Sequence, residues 1–392
     1  MIREVEISSC CEIVSGSTPS RAVPDYWDGE INWFTPKDLS SLVGKYIDES
    51  PEKITEQGYK SCSTNLLPPF SLMLSSRAPI GHLAINTVPA STNQGFKSLI
   101  PKNNIDVNYL YYAIKRIVPM LQDLGNGATF KELSKSTLSK VKIPLPPLET
   151  QKKIAEKLDA ADTLRQKTKT LIEKYDQLTQ SLFLDMFGDP VSNSNRWEKQ
   201  QLKEICHKIT DGTHHSPEAQ KNGYPYVTAK HVKTYGLDFY SNPTYVSKEA
   251  HDDIYKRCNP EYGDVLYIKD GATTGIACIN TFSDPISLLS SLALIKPDNS
   301  RINNYYLCYW LNHNGVKEKL INEFMAGAAI RRYTLKKINI FKINVPPLPL
   351  QNQFAERVQA VEEQKAKARE SLEKSEELFQ SLLQKAFRGE IN

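Results

Sequence analysis

The sequence lacks any run approaching the ~20 consecutive apolar residues that a membrane-spanning helix requires. Residues 1–14 carry Arg3, Glu4 and Glu6 but no apolar stretch, so no secretory signal is expected. Cysteine is sparse and irregular. The seven Cys form one adjacent pair, Cys10-Cys11, and five scattered positions with no CxxC spacing, which argues against a disulfide framework or a thiolate zinc site and fits a reducing cytoplasm. A strong charge of one sign is also missing, since 49 Lys+Arg offset 45 Asp+Glu to leave +4. That sum is too small to establish a nucleic-acid partner, and the distribution matters more.

Chemistry-bearing motifs are absent as well. No GxxxxGK phosphate loop, HExxH helix or GxSxG elbow occurs. A methyltransferase acting on amino groups needs Asn or Asp before Pro-Pro-aromatic, but Pro68-Pro69-Phe70 follows Leu67, which cannot accept a hydrogen bond. His214-His215 lie eight residues after Cys206, yet adjacent histidines point in different directions and no carboxylate completes a metal set. Pro24-Asp25 with Glu30 lacks the closing lysine of a nuclease motif. No catalytic residue and no metal site are expected.

What is present is repetition. The 392 residues, 40% apolar and 24% charged, suffice for two or three domains. Pro146-Pro147-Leu148 and Gln151 recur as Pro346-Pro347-Leu348 and Gln351, and the 200-residue offset holds through Phe187 and Phe387. Upstream, Ser76-Arg77-Ala78-Pro79-Ile80-Gly81 is followed by Asn93-Gln94-Gly95, and Ala78–Gly81 resembles Ala272–Gly275. Thr35-Pro36-Lys37 resembles Thr228-Ala229-Lys230, and Gly127-Ala128 faces Gly327-Ala328. The chain reads as a tandem duplication of a globular unit followed by a helix.

No Gly or Pro interrupts residues 151–187 or 351–388. Apolar or small residues recur there in steps of three and four: Ile154, Leu158, Tyr175 and Leu182 in the first segment, Phe354, Val358, Leu372 and Leu382 in the second. That period predicts two long helices forming an antiparallel coiled-coil seam. Arg165 and Lys365 fall at the same mid-seam position. They read first as bases snorkelling over a neighbour, with a register-setting pair as the alternative.

Residues 1–145 and 190–345 read as mixed α+β, with strands at Ser71–Ser75 and Asp264–Lys269 and helices at Tyr109–Ile114 and Tyr305–Leu311. Counting charges gives +1 for the first unit (15 bases, 14 acids) and +5 for the second (20 and 15), against −1 for each helix. Bases cluster at matched places, Lys131 in one unit and Arg331 with Arg332 in the other, and could follow a phosphate backbone. Lys37, Arg77, Asn93, Gln94, Lys97, His214, Lys230, His231 and Lys269 are polar loop residues suited to DNA contact. Taken singly, each reads rather as a loop or capping residue.

Together, Ile143-Pro144-Leu145-Pro146-Pro147-Leu148 with Gln151 and Ile154, its echo Val345-Pro346-Pro347-Leu348 with Gln351 and Phe354, and the paired Gly-Ala segments resemble the DNA-specificity subunit of Type I restriction-modification systems. The resemblance covers the whole chain, although Thr150 and Leu350 stand where that family usually has an acid before the Gln. It implies target-recognition domains at 1–145 and 190–345, and spacer helices at 146–189 and 346–392 related by a pseudo-twofold tandem repeat. Each recognition domain would read half of a bipartite asymmetric site in double-stranded DNA. It also implies two modification subunits and restriction subunits as partners, with S-adenosylmethionine, ATP and Mg held there and no cofactor bound by this chain. The open alternatives are a self-sufficient methyltransferase or nuclease, and a coiled-coil scaffold binding only proteins.

Overall fold

The computed structural model describes residues 3–77, 79–125, 131–234, 236–325 and 332–390. The Gly127–Thr129 and Gly327–Ala329 segments and Arg331 lie outside the described residues. The chain divides into two compact units, Met1–Thr170 with Arg369–Asn392, and Leu171–Ala368. The division cuts each long helix near its middle, so each unit holds one mixed α+β head with a half of both helices.

In the first unit, strands Cys11–Ser15, Lys97–Pro101, Leu72–Leu74, Leu83–Asn86 and Tyr46–Ile47 form a five-stranded sheet in that order. A second sheet orders Glu52–Ile54, Trp27–Phe34 and Ala90–Thr92. The second unit repeats the plan. Cys206–Asp211, Leu292–Pro297, Val265–Ile268 and Ala277–Ile279 make one sheet, and Tyr245–Val246, Tyr224–Val227 and Ser287–Leu288 the other. The expected strands and helices are found, at Leu72–Leu74, Val265–Ile268, Val107–Asp123 and Asn304–Asn312.

Each head closes on itself before its long helix begins. Glu4–Glu6 pairs antiparallel with Lys142–Pro144 in the first unit, and Glu198–Gln201 with Lys342–Val345 in the second. Buried Tyr109 and Tyr306 each donate a 2.7 Å hydrogen bond to that ribbon, at the carbonyls of Pro144 and Asn344. The repeated glutamines have a matching task. Fully buried Gln151 donates to the Pro146 carbonyl (2.8 Å) and accepts from the Asp106 N–H (2.8 Å). Gln351 does the same with the Pro346 carbonyl (2.7 Å) and the Asn303 N–H (2.8 Å). Asp106 and Asn303 in turn cap the helices that follow them. One side chain thus ties the Pro-Pro turn to the start of the head's own helix, and otherwise orphaned buried polar groups are satisfied.

The long helices run Leu148–Phe187 and Leu348–Arg388. At ~1.5 Å per residue each is about 60 Å long. In the second unit the halves run antiparallel: Asp176 meets Lys365, and Phe187 meets Phe354 at 5.2 Å between rings. In the first, Ile154, Leu158 and Ala161 share a core with Phe379, Leu383, Ala386 and Phe387 and with Tyr109 and Tyr112 of the head. Of the expected seam residues, Ile154, Leu158, Phe354 and Val358 are buried, while Tyr175, Leu182, Leu372 and Leu382 are half-buried. Phe183 and Leu383, one residue further on, take the inner place instead. A helix of 3.6 residues per turn lags a strict heptad by ~20° each time, so after four heptads the next residue faces inward.

Mid-seam, the bases do not snorkel. Arg165 is held by Asp162 and by Glu376 (2.9 Å), and Lys365 by Glu362 (3.5 Å) and Asp176. Each triad uses an acid three residues before the base and one on the facing helix, and all three positions repeat at 200 residues. The register-setting alternative therefore describes these residues better.

Candidate nucleic-acid interface

In each unit, five short segments far apart in sequence meet at one end of the sheets, held by main-chain hydrogen bonds. In the first unit Ser17 N–H donates to Thr92 O (2.9 Å), Asn93 N–H to Phe34 O (3.0 Å), Ser76 N–H to Gly95 O (2.7 Å), and Leu133 N–H to Ser76 O (2.9 Å). In the second, the same frame is Thr213 N–H to Leu288 O (2.8 Å), Leu289 N–H to Val227 O (3.0 Å), Lys269 N–H to Ser291 O (2.9 Å), and Tyr333 N–H to Lys269 O (2.8 Å). Two glycines make the close approach possible. A Cβ on Gly16 would lie 2.1 Å from Thr92 O, and one on Gly212 1.9 Å from Leu288 O. Gly16 after Ser15 and Gly212 after Asp211 are thus backbone requirements of the frame.

The side chains standing on this frame are mostly polar. Lys37 is exposed at the first turn of Pro36–Ser40, whose Thr35–Asp38 capping box fixes that turn. Half-buried Asn93 uses its side-chain oxygen to accept from Gly95 N–H (2.8 Å), and exposed Gln94 accepts from the Thr18 hydroxyl (2.5 Å). Arg77 is half-exposed beside Glu132, and Lys131 is exposed. In the second unit Lys230 is exposed, with its ammonium near the Thr244 hydroxyl (2.7 Å) and Asn242 (3.2 Å). His214 is exposed beside Asp211 (3.3 Å), and Arg332 beside Asp270 (3.1 Å).

Three expected contact residues are placed elsewhere. His231 is fully buried: its Nδ1 accepts from Thr228 N–H (3.0 Å) and its Nε2 lies 2.9 Å from Asn242 O. That pair of bonds requires the neutral Nε2–H form, and burial holds the imidazole below the usual histidine range. It closes a capping box rather than presenting a charge. Lys97 (8% exposed) is turned inward to Glu132 at 3.3 Å, and Lys269 (2% exposed) to Asp270 at 2.7 Å and Asp211 at 3.5 Å. A buried ammonium needs a counter-charge: Glu132, distant in sequence, provides it for Lys97, and adjacent Asp270 with distant Asp211 for Lys269. Sequence reasoning, which looks mainly for bases, reads Asp270 with Lys269 as polar loop residues and does not single out Glu132. The acid directly following a base at Lys131-Glu132 and Lys269-Asp270 was the available signal.

Among the described residues no group of three or more His, Cys, Asp or Glu side chains is placed to hold a metal ion. None of the described helices is long and apolar enough to cross a membrane. The frame offers hydrogen-bond donors and positive charge on rigid turns.

A family model described as the Type I restriction modification DNA specificity domain matches residues 2–174 and 194–374. The chain belongs to this specificity family. The MjaIX specificity subunit of Methanocaldococcus jannaschii is 31% identical over 408 residues, spanning 98% of this chain and 92% of the relative. The EcoR124I/EcoR124II specificity subunit of Escherichia coli is 34% identical over 171 residues, 41% of this chain and 42% of its own. Among solved structures, the S subunit of a type I system from M. genitalium aligns over 98% of this chain and 96% of its own, with a TM-score of 0.60 at 17% identity. A chain from a structural study of type I R-M complex assembly and conformational transition aligns over 99% and 98%, with a TM-score of 0.58 at 19% identity. These two likenesses bear out the α+β tandem fold with its two long helices. Each specificity unit carries one copy of the five-segment frame.

Proposed function

We propose that this chain is the sequence-reading, non-catalytic subunit of a type I restriction-modification complex. The observation that carries the reading is the duplicated frame: one set of main-chain bonds, built once per unit in a chain of this family, with different polar side chains standing on it. One frame with two side-chain sets suits a bipartite asymmetric DNA site, each unit reading one half through base-edge contacts. Residues 1–145 and 190–345 act as recognition domains. Lys37, Arg77, Asn93, Gln94 and Lys131 face one half-site, and His214, Lys230, Arg331 and Arg332 the other.

Residues 146–189 and 346–392 act as spacers. Helices of about 60 Å can bridge half-sites one helical turn apart, ~34–36 Å centre to centre. Two modification subunits, holding S-adenosylmethionine and performing the base flipping that adenine methylation needs, dock on this chain, and restriction subunits consuming ATP with Mg complete the assembly. The expected setting is the cytoplasm.

Methylome sequencing of cells expressing the chain with its modification subunit tests the reading, with one bipartite motif as the expected product. Exchanging residues 190–345 for another recognition unit should change one half-site and leave the other intact. Inserting or deleting whole turns within residues 151–187 should alter only the gap. Methyl transfer by the purified chain alone would instead favour an enzyme, and failure to select any sequence would favour a protein scaffold.

A further inference from the structure

The two frames carry the same charged triad, built from different positions. In the first unit buried Lys97 pairs with Glu132 (3.3 Å), which also faces Arg77 (4.0 Å). In the second, buried Lys269 pairs with Asp270 (2.7 Å), which also faces Arg332 (3.1 Å). An isolated backbone bridge joins each acid to its arginine, Arg77 with Glu132 and Asp270 with Arg332. By that bridge, and by the neighbouring bonds from Leu133 and Tyr333, Arg77 occupies the place of Asp270, and Glu132 the place of Arg332. The acid and the arginine have changed sides. The lysine has moved too, since Lys97 lies on strand Lys97–Pro101, whereas Lys269 sits at the place of Ser76.

Simple descent from one ancestral unit would keep a structural ion pair in one orientation. Rebuilding the order lysine, acid, arginine from three non-equivalent positions indicates a requirement on the product: one arginine, at this point of the frame, held by a carboxylate that a buried ammonium anchors. A carboxylate beside one side of the guanidinium biases where that cation sits and leaves other N–H groups to meet a ligand. Arg77 and Arg332 have side chains 36% and 58% exposed, against 10% for Lys97 and 2% for Lys269, so the arginine is the member that can leave the surface. An oriented guanidinium suits the O6 and N7 of guanine, the commonest specific arginine contact in the major groove.

We propose that Arg77 and Arg332 are equivalent specificity-determining residues, each reading one guanine in its own half-site, with Glu132 and Asp270 as positioning residues. The proposal rests on the DNA-reading function above and names where in each unit a base is read. Its chemistry predicts that the arginines approach the duplex from opposite sides of the same bridge, so the guanines need not occupy matching places in the two half-sites.

The test is selection from a random duplex pool by the full chain assembled with its modification subunit, read as base preference at every position. Arg77→Ala should erase the guanine preference at one position of one half-site, by about tenfold to a hundredfold, and Arg332→Ala at one position of the other. Arg77→Lys keeps the charge but not the fork, so it should lose the same preference while retaining affinity for unrelated duplex. Glu132→Ala should blur the position that Arg77→Ala erases, and Glu132→Asp should restore it, a pattern that a merely structural acid would not give. An unchanged profile in Arg77→Ala and Arg332→Ala overturns the proposal. So does uniform weakening across all sequences with a shallower salt dependence, which marks a phosphate contact. A wild-type chain that selects no sequence would instead sink the DNA-reading function itself.

Discussion

The two mid-seam triads repeat in sequence but not in exposure, and removing their bases should therefore have unequal effects. Lys365 is 1% exposed, while its partners Asp176 and Glu362 are 50% and 35% exposed. Lys365→Met keeps the stem's volume and returns two acids to water they already face. The lost attraction and the avoided burial of an ammonium nearly cancel, so stability should stay within about 1 kcal/mol of the parent. Removing the acids instead, in Asp176→Ala with Glu362→Ala, strands the ammonium. Breaking a buried pair from one side costs ~3–5 kcal/mol, and the open side of this triad places the expected loss near the low end, about 3 kcal/mol. In the first unit the base and its neighbour are buried together, Arg165 and Asp162 each at 12%. Arg165→Met therefore leaves a buried carboxylate and should cost about 2–3 kcal/mol, unlike its partner in the repeat. Calorimetry of the full chain reads these values. At ~2–4 °C per kcal/mol for a unit of this size, the acid double variant should lower its transition by about 6–12 °C, with Lys365→Met barely moving it. If Lys365→Met costs as much as the acid double variant, the ammonium is a net stabiliser and the desolvation argument is refuted.

Other outcomes follow from burial and backbone geometry. Gln151→Ala and Gln351→Ala each leave a half-buried N–H and a buried carbonyl without the glutamine's bonds, so either should cost about 2–3 kcal/mol in denaturant titration. The second unit should lose stability on acidification. His231, His251 and His313 all have imidazoles held below the ordinary value by burial, so the unfolded chain binds more protons below about pH 6.5. Their contribution is present above that pH and is lost as pH falls through the depressed folded-state values; unfolding at pH 7.5 and 5.5 should show it, and His231→Gln should flatten the slope. Phe70 sits at φ +64° and is 56% exposed, where the repeat has Gly263 at φ +90°. Phe70→Gly should relieve ~1–2 kcal/mol of left-handed strain against ~0.4–1 kcal/mol of added chain entropy, a small net gain in thermal midpoint.

The architecture was legible because duplication exposes it: two copies at one offset reveal unit boundaries, helix ends and the Gln-bearing turns without any structure. The heptads located the seam but not its inner residue at the far ends, since Leu182 against Phe183 is decided by helical drift over four heptads. The site was legible by place and less so by residue. Thr35–Lys37, Ser76-Arg77 and Asn93–Gly95 do converge, and the hydrogen bonds from Asn93 and Ser76 show why. Lys97, His231 and Lys269 look like surface bases in a local window. Lys97 and His231 meet Glu132 and Asn242, 35 and 11 residues away, and Lys269 meets Asp211, 58 residues away, as well as its neighbour Asp270. Local composition cannot tell an ammonium that meets water from one that meets a distant carboxylate.

The duplication separates what the fold must keep from what it can change. Both units retain the main-chain bonds of the frame, the tyrosine on the closing ribbon and the glutamine at the helix start, all of which satisfy main-chain polar groups inside the fold. The residues standing on the frame share little: Gln94 stands where the repeat has Ser290, and Arg77 where it has Asp270. An exposed side chain on a main-chain-bonded turn can be replaced without leaving a buried donor or acceptor unmet, so such positions drift at low cost to stability. The charged triad is the exception. It is partly buried, so it cannot drift one residue at a time without stranding Lys97 or Lys269, yet it has been rearranged as a set. A change that must pass through destabilised intermediates and still ends at the same chemistry is better explained by what the exposed arginine does than by what the ion pair stabilises.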